Sequence, residues 1–219
     1  MDRQARLDSC ALPGWSHRFF PGFEVDLTQP EDALWSNLSS ACRRCIRKGQ
    51  KNGVVVEEAQ DLDFAVEYYR QLEDVFAKQS LVPTYGLHRV QELIRVLLPT
   101  GRLLLLRARD SSGRCVATGI FPAMNQTMYF WGGASFRKSQ IIRPNEAIQW
   151  YALRYWKARG IKLYDMGGGG RYKSKYGGSP ISVPWFSQSK YPAIAHARNI
   201  AKSLVYPRQR ILGLLARRS

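Results

Sequence analysis

The chain contains 219 residues, 45% of them hydrophobic, and its 33 lysines and arginines against 17 acidic residues give a net charge of +16. This length and apolar content allow a substantial core and fit one large domain better than two. No apolar run reaches the roughly 18 residues that a membrane helix needs, so we expect no membrane span. The charge indicates an anionic partner, and composition leaves nucleic acid, a phosphorylated substrate and a membrane surface open.

The four cysteines are predicted to be thiols rather than disulfide or metal-binding residues. The first 15 residues lack the apolar segment of a signal peptide, so we expect a cytoplasmic protein, in which thiols stay reduced. Cys42 and Cys45 form a C-x-x-C pair, but the sequence has no second pair and its three histidines are scattered, so no metal is expected. Both cysteines continue the helical spacing of Leu34 and Leu38, which favours packing in the core.

The predicted elements form one domain between an irregular lead and a basic extension. We assign 1–22 to the lead, 23–190 to the domain and 191–219 to the extension, whose helical segments carry several arginines. Alternation indicates strands, helical periodicity indicates helices, and proline and glycine mark their ends. The predicted elements are a strand at 23–27, a helix at 28–53, a strand at 54–58, helices at 62–79 and 87–98, strands at 102–110, 114–124 and 127–135, a helix at 145–159 and strands at 161–166 and 181–188.

The order of these elements predicts an α/β fold in which helices cover a mixed, mostly antiparallel sheet on both faces. The strands at 102–110, 114–124 and 127–135 are joined by turns and should form an antiparallel meander. The helix at 145–159 crosses over to the strand at 161–166, so that strand should lie parallel to the end of the meander. A ligand is then expected at the carboxyl ends of the two parallel strands.

A glycine-rich, cationic loop follows the strand at 161–166. Its sequence, GGGGRYKSKYGG at 167–178, combines six glycines with three cationic residues. Glycine permits positive φ and a close approach of ligand to backbone, and the cations suit an anion or a developing oxyanion. A flexible surface loop with solvated lysines is the alternative.

The second half of the helix at 28–53 carries a cationic face. From 43 to 51 it contains no acidic residue, whereas solvated helices usually intersperse acids that pair with bases one turn away. A solvated face and an anion-binding face both remain open. The cationic residues are Arg43, Arg44, Arg47, Lys48 and Lys51.

Three segments resemble the GNAT acyltransferase fold and, within it, the Fem-type branch of aminoacyl-tRNA-dependent peptidyltransferases. They lie at 43–58, 129–168 and 172–178. Fem-type enzymes usually contain two GNAT-like halves, and this chain resembles only the second. In the family, the first half helps to bind the nucleotide-linked peptidoglycan precursor. The resemblance therefore leaves the acceptor open, and also whether a homodimer replaces the missing half.

The resemblance implies a catalytic role for the glycine-rich loop. Tyr172, Lys173 and Tyr176, with the glycines after them, match the family's pattern of aromatic, lysine, two variable residues, aromatic and glycines. Lys173 would then stabilise the oxyanion of aminoacyl transfer, and Tyr172 stands where the family has phenylalanine. Asp165 is either a general base or a structural residue that binds NH groups of the glycine turn. The expected catalytic residues are Lys173, Tyr172 and Asp165, and the expected substrate-binding residues are Trp131, Gly132, Gly133, Arg137, Gly167, Gly168 and Tyr176.

The segment before the helix at 145–159 bears on the donor. Acyl-CoA-dependent GNAT enzymes have a Q/R-x-x-G-x-G/A segment here, whose NH groups bind pyrophosphate. This chain has SFRKSQIIRPN, which contains no glycine but offers Arg137, Lys138 and Arg143. The missing glycines and the widespread cations favour aminoacyl-tRNA as donor, because a tRNA presents a wide phosphate surface. The expected nucleic-acid-binding residues are Arg43, Arg44, Arg47, Lys48, Lys51, Lys138, Arg143 and Lys175.

Three functions remain open at this point. The preferred one moves an aminoacyl group from aminoacyl-tRNA to the amine of a small peptide-like or cell-wall-precursor acceptor and needs no bound cofactor. The first alternative is an N-acyltransferase that uses a CoA thioester. The second is a non-catalytic GNAT-like RNA-binding module, whose binding the substitution Lys173→Ala would leave unchanged.

Overall fold

The computed structural model describes residues 15–201, apart from residues 79, 169, 189, 192, 195, 196, 198 and 199. Within this part, helices and strands follow one another largely as predicted. The strands are β1 (Ser16–Asp26), β2 (Val55–Glu58), β3 (Leu103–Arg109), β4 (Cys115–Met124), β5 (Thr127–Tyr129), β6 (Gly132–Ser135), β7 (Leu163–Gly168) and β8 (Ser179–Ser187). The helices are α1 (Glu31–Asn37), α2 (Ser40–Lys51), α3 (Asp63–Ala77), α4 (Leu87–Leu97) and α5 (Pro144–Ala158), with short 3-10 helices at Leu98–Thr100, Arg137–Ile142 and Arg171–Tyr176.

A mixed sheet contains these strands in the order β2-β3-β4-β5-β7-β1-β8, and β6 also pairs with β4. β5 and β7 are parallel, with Thr127 opposite Leu163, and the other pairs of described strands are antiparallel. The predicted crossover through α5 is therefore confirmed. Pro144 suits the first turn of this helix because its missing NH would have no helical partner there.

The core consists of two layers, one on each face of the sheet. Consecutive leucines of β3 point to opposite faces, as the pleat of a strand requires. Leu104 joins the layer that contains Ile148 of α5, and Leu105 joins the layer that contains Phe64 of α3 and Val90 of α4. The prediction of helices on both faces is confirmed.

The single helix predicted at 28–53 is wrong, because the chain breaks after α1. Leu38 has an extended backbone, and the Ser39 hydroxyl accepts the NH of Cys42 at 3.1 Å, which starts a second helix. Cys42 is buried, as predicted, and burial raises the pKa of its thiol to about 12. Cys45 is only half-buried, so the prediction of core packing holds for it in part.

The strand predicted at 23–27 is longer at its N-terminal end. β1 begins at Ser16 because it pairs with β8 from that residue, opposite Ser187. The described end of the predicted lead is thus a strand rather than irregular chain. The rest of the lead, 1–14, and most of the predicted basic extension, 202–219, lie outside the described residues.

Candidate active site

β5 and β7 lie side by side only briefly and then separate. The NH of Phe130 still donates to the carbonyl of Asp165, at 3.0 Å, but the NH of Trp131 donates to Ile120 of β4, at 3.1 Å. β6 then follows β4, whereas β7 continues beside β1. The single strand predicted at 127–135 is therefore wrong. Its division separates the chain at the carboxyl ends of the two parallel strands, where the sequence predicted a ligand, and we call this place the crevice.

Asp165 stabilises a turn at the edge of this crevice. Its Oδ1 accepts the NH of Gly167 at 2.7 Å. Gly167 has a φ of +70°, a backbone conformation that residues other than glycine rarely adopt. This bond supports the structural interpretation of Asp165, and a role as general base stays a prediction.

Lys173 is buried beside the same turn. It lies on the 3-10 helix at Arg171–Tyr176 and is only 6% exposed. Its Nζ donates to the carbonyl oxygens of Met166 and Gly168, both at 2.6 Å, and lies 5.8 Å from the ring centre of Phe130. The loop is thus folded against β7, and the alternative of a solvated lysine is wrong for Lys173.

The surroundings of Lys173 suit the stabilisation of an oxyanion. An ammonium group has three NH donors, and the two carbonyl groups take two of them. The third donor can bind a developing negative charge in a site from which water is largely excluded. Burial lowers the pKa of Lys173, and the carboxylate of Asp165 opposes this shift by favouring the ammonium.

The other residues of the loop divide between the crevice and the core. Tyr172 is 56% exposed, and its ring centre lies 5.9 Å from Nζ of Lys173. Tyr176 is 5% exposed within the core, and burial raises the pKa of its hydroxyl well above the usual range. Lys175 pairs with Glu146 in the first turn of α5, at 2.7 Å. Tyr176 and Lys175 thus both anchor the loop, and their predicted roles in substrate binding and nucleic-acid binding stay predictions.

Trp131 lies on the opposite face of the sheet from Lys173. Neighbouring residues of an extended chain point to opposite faces, so Phe130 approaches Lys173 while Trp131 turns towards α3 and α4. The Trp131 ring packs near those of Tyr68 and Tyr85, whose hydroxyl groups share a hydrogen bond of 2.7 Å. It also lines a cavity of about 400 Å³ beside α4. A substrate contact of Trp131 would therefore be made in this cavity, on the face of the sheet opposite to Lys173.

Gly132 and Gly133 are explained by close packing. A Cβ on Gly132 would lie 2.5 Å from the hydroxyl of Tyr68, and one on Gly133 would lie 2.9 Å from the ring of Phe130. Close packing thus accounts for the absence of a side chain at both positions, and the predicted substrate contacts of these glycines stay predictions. By contrast, Gly168 borders the crevice through the carbonyl oxygen that holds Lys173.

The segment between β6 and α5 offers cationic side chains, but several of its NH groups are already bonded. The NH of Arg137 donates to the carboxylate of Asp74, at 2.7 Å, and the NH of Ser139 donates to the carbonyl of Phe136, at 3.0 Å. Sequence reasoning missed Asp74 because it lies far away on α3, with no motif around it. The exposed cationic residues of the segment are Arg137, Lys138 and Arg143.

Arg43 differs from the other cationic residues of α2. Its Nη1 donates to the carbonyl oxygens of Leu38 and Ser36, at 2.5 and 2.7 Å, and so caps the end of α1. Arg43 therefore has a structural role, and its predicted contact with nucleic acid stays a prediction. Arg47 lies over the ring of Trp35, at 5.4 Å. The exposed cationic residues of α2 are Arg44, Arg47, Lys48 and Lys51.

The exposed cations of α2 and of the segment before α5 lie on adjoining elements. A Cβ on Gly49 of α2 would lie 3.1 Å from the carbonyl oxygen of Arg143, so the two backbones pack tightly. We call their exposed cations the cationic surface. Its members are Arg44, Arg47, Lys48, Lys51, Arg137, Lys138 and Arg143.

Among the described residues, none of the helices has the length and apolar character needed to cross a membrane.

A family model described as an acetyltransferase (GNAT) domain matches residues 36–176, which include the crevice, Lys173 and α2. No curated protein matches the sequence significantly.

Solved structures share the fold at low sequence identity. FemX matches with a TM-score of 0.68 and 13% identity, over 76% of this chain and 63% of FemX. L-PGS from Bacillus licheniformis matches with a TM-score of 0.61 and 12% identity, over 90% of this chain and 69% of L-PGS. The C-terminal domain of a putative lysylphosphatidylglycerol synthetase from Agrobacterium fabrum matches with a TM-score of 0.60 and 13% identity, over 91% of this chain and 69% of that domain. The chain thus spans less than two thirds of FemX, and these likenesses show the fold alone.

Proposed function

The chain belongs to the GNAT acetyltransferase family, and we propose that it transfers an aminoacyl group from aminoacyl-tRNA to the amine of a small peptide-like or cell-wall-precursor acceptor. The observation that carries this proposal is the segment between β6 and α5, where bonded NH groups and exposed cations stand in place of a glycine-rich cradle. The likeness in fold to FemX supports the proposal. So does the likeness to a putative lysylphosphatidylglycerol synthetase, because the name of that product describes a lipid that carries a lysyl group.

The backbone before α5 is poorly suited to the pyrophosphate of CoA. The NH of Arg137 already donates to Asp74, whose carboxylate would repel a phosphate. At the start of α5, Pro144 lacks an NH, and the first turn already holds the carboxylate of Glu146, which pairs with Lys175. Because anions bind helix ends through free NH groups and the helix dipole, an acidic first turn weakens that site.

The cationic surface suits a long phosphate backbone. Its seven side chains are exposed, and they extend over two adjoining elements rather than meeting at one point. Affinity for nucleic acid arises chiefly from such distributed contacts, which release counterions from the phosphates. A cytoplasmic location, where aminoacyl-tRNA is available, belongs to the same proposal.

Lys173 then acts on the reacting carbonyl group. The acceptor nitrogen attacks the ester carbon, and the carbonyl oxygen becomes an oxyanion that the third NH of Lys173 can bind. The bond from carbon to the terminal ribose oxygen of the tRNA breaks as the amide forms. The proton lost by the amine ends on that ribose oxygen, and Asp165 is the candidate that would carry it.

The first test is retention of labelled aminoacyl-tRNA by the purified protein, compared with labelled acetyl-CoA at low and moderate salt. We expect retention of charged tRNA that weakens as salt rises. The variant Asp74→Asn serves as a control on the segment between β6 and α5, since removing the negative charge should improve any residual binding of CoA. Retention of acetyl-CoA together with indifference to tRNA would contradict the proposal.

An acyl-CoA-dependent N-acyltransferase is the second candidate. The description of the matching family model, an acetyltransferase domain, favours it. Lys173 would serve the oxyanion in the same way, because a thioester and an ester pass through the same kind of tetrahedral intermediate. The two candidates differ in the donor alone, and the retention experiment separates them.

A further inference from the structure

A two-stranded ribbon of β1 and β8 extends beyond the rest of the sheet. β1 pairs with β7 only from Gly22 onward, whereas it pairs with β8 from Ser16. The first six residues of β1 are all exposed. We call residues 15–21 and 182–188 the ribbon tip. Its exposed apolar side chains are Trp185 (63%), Phe19 (45%), Phe20 (45%), Trp15 (42%) and Val183 (37%).

The ribbon tip is apolar on both faces. Phe20 lies opposite Val183 on one face, where its ring centre is 6.3 Å from that of Trp185. Phe19 lies on the other face, 5.8 Å from the ring centre of His17. A protein partner on one face would leave the other face in water, whereas insertion into an apolar boundary layer covers both.

The charges around the ribbon tip are positive. From Ser179 to Tyr191 the sequence contains one lysine and neither aspartate nor glutamate. Arg18 lies on the tip itself, and Lys190 follows it, with Nζ 5.5 Å from the ring centre of the 55% exposed Tyr191. Two copies of this tip would repel each other, whereas a negatively charged surface would attract it.

From this arrangement we propose that the ribbon tip docks the protein on the surface of an anionic lipid bilayer. Tryptophan, tyrosine and other amphipathic rings favour the level of the headgroups, and nearby lysines and arginines add attraction to anionic lipids. Binding of this kind grows with the apolar area that enters the interface. The inference does not depend on which donor the crevice uses.

Single-stranded nucleic acid fits the ribbon tip less well than lipid. Stacking of bases needs open ring faces. Here the rings of Phe20 and Trp185 meet edge to face, at 84°, and those of His17 and Phe19 meet at 77°. Val183 and the prolines of the tip offer no stacking surface, but they suit a lipid interface.

The test is cosedimentation of the full chain with vesicles of phosphatidylcholine, with and without phosphatidylglycerol. We expect binding that requires phosphatidylglycerol and weakens in salt, and the double variant Phe20→Ser/Trp185→Ser should weaken it roughly tenfold or more. The matched control is Val55→Ser/Leu62→Ser, which removes two exposed apolar side chains (60% and 40%) near the opposite edge of the sheet. This control should bind like the unchanged protein.

A second variant keeps the test decisive if the double variant fails to fold. Trp185→Phe retains an aromatic ring, so it should still bind vesicles but lose part of the quenching of tryptophan fluorescence by brominated phosphatidylglycerol, the remainder coming from Trp15 of the tip. Failure of the unchanged protein to bind the anionic vesicles would overturn the proposal. So would a folded double variant that binds vesicles normally but loses RNA retention or self-association, because the tip would then serve RNA or a second copy.

Discussion

The 3-10 helix at Arg171–Tyr176 and helix α2 are both rich in cations, but the structure uses these charges differently. On the 3-10 helix, Lys173 is held by two carbonyl oxygens and Lys175 by a carboxylate. On α2, most cationic side chains extend into solvent. Fixed charges suit a reacting centre, which needs a set geometry. Solvated charges suit the binding of nucleic acid, because many phosphates are contacted over a wide area.

The largest effect should come from Lys173→Ala. Loss of the ammonium should reduce transfer by about 100-fold to 1,000-fold, because an oxyanion in a dry site depends strongly on each donor. Retention of the donor should stay unchanged, since the cationic surface is intact. The control is Lys162→Ala, which removes an exposed lysine elsewhere. Steady-state rates check the prediction, and near-normal transfer by Lys173→Ala would show that the crevice chemistry lies elsewhere.

The second effect concerns α2. The variant Arg44→Gln/Lys48→Gln/Lys51→Gln should weaken retention of tRNA and reduce its log-log salt slope by about 0.7 to 0.9 for each phosphate that the protein no longer neutralises. Filter retention over a range of salt concentrations measures this slope. A slope equal to that of the unchanged protein would remove α2 from the interface.

A matched control removes the same charge at other sites. Arg95, Arg114 and Arg154 pair with Glu92, Asp110 and Glu31, respectively. Their joint change to glutamine should affect the salt slope less than the α2 variant does, because these residues lie outside the cationic surface. Equal losses would mean that total charge, rather than its location, drives binding.

The third prediction separates the two roles of Asp165. Asparagine can still accept the NH of Gly167, whereas alanine cannot. A structural aspartate predicts that Asp165→Asn retains most of the transfer rate and that Asp165→Ala loses it together with stability. A general base predicts equal losses of rate in both variants, with normal stability in Asp165→Asn. Rates and unfolding curves of the two variants decide between these roles.

The fourth prediction contrasts neighbouring arginines on α2. Arg43→Ala should lower the free energy of unfolding by about 1 to 3 kcal/mol, because it leaves carbonyl groups at the break between α1 and α2 without their cationic partner. Arg44→Ala should change it by no more than about 0.5 kcal/mol, as exposed positions usually do. Chemical denaturation measures both values, and equal stabilities would contradict the capping role of Arg43.

The smallest effect should be a shift in the pH dependence of transfer. The ammonium of Lys173 is present below its pKa and is lost as pH rises through it, and burial lowers that pKa. Transfer should therefore decline at a pH below the usual lysine range. Asp165→Asn should move this decline further down, because the carboxylate favours the ammonium. An unmoved profile would exclude Lys173 as the titrating group.

Local signals predicted much of the fold. Pro144 and Gly160 mark the ends of α5, and the pattern before the glycine-rich loop indicates β7, so the parallel crossover followed from the order of elements. The turn that Asp165 stabilises could also be predicted, because an aspartate often accepts a hydrogen bond from the backbone NH two residues ahead.

The partners of single side chains were not predictable in the same way. Lys175 meets Glu146, and the NH of Arg137 meets Asp74, across long stretches of chain. Arg43 acquired its role only because Ser39 starts a new helix. Such contacts depend on how elements pack, which local propensity and periodicity do not contain.

The most direct test of the proposed function measures transfer itself. The protein is incubated with labelled aminoacyl-tRNAs and a panel of small amines and peptidoglycan precursor peptides, and alkali then hydrolyses the remaining ester but spares an amide. Label in alkali-stable product with the unchanged protein, and little with Lys173→Ala, is the predicted result. No such product from aminoacyl-tRNA, together with labelled product from acetyl-CoA and the same acceptors, would contradict the account.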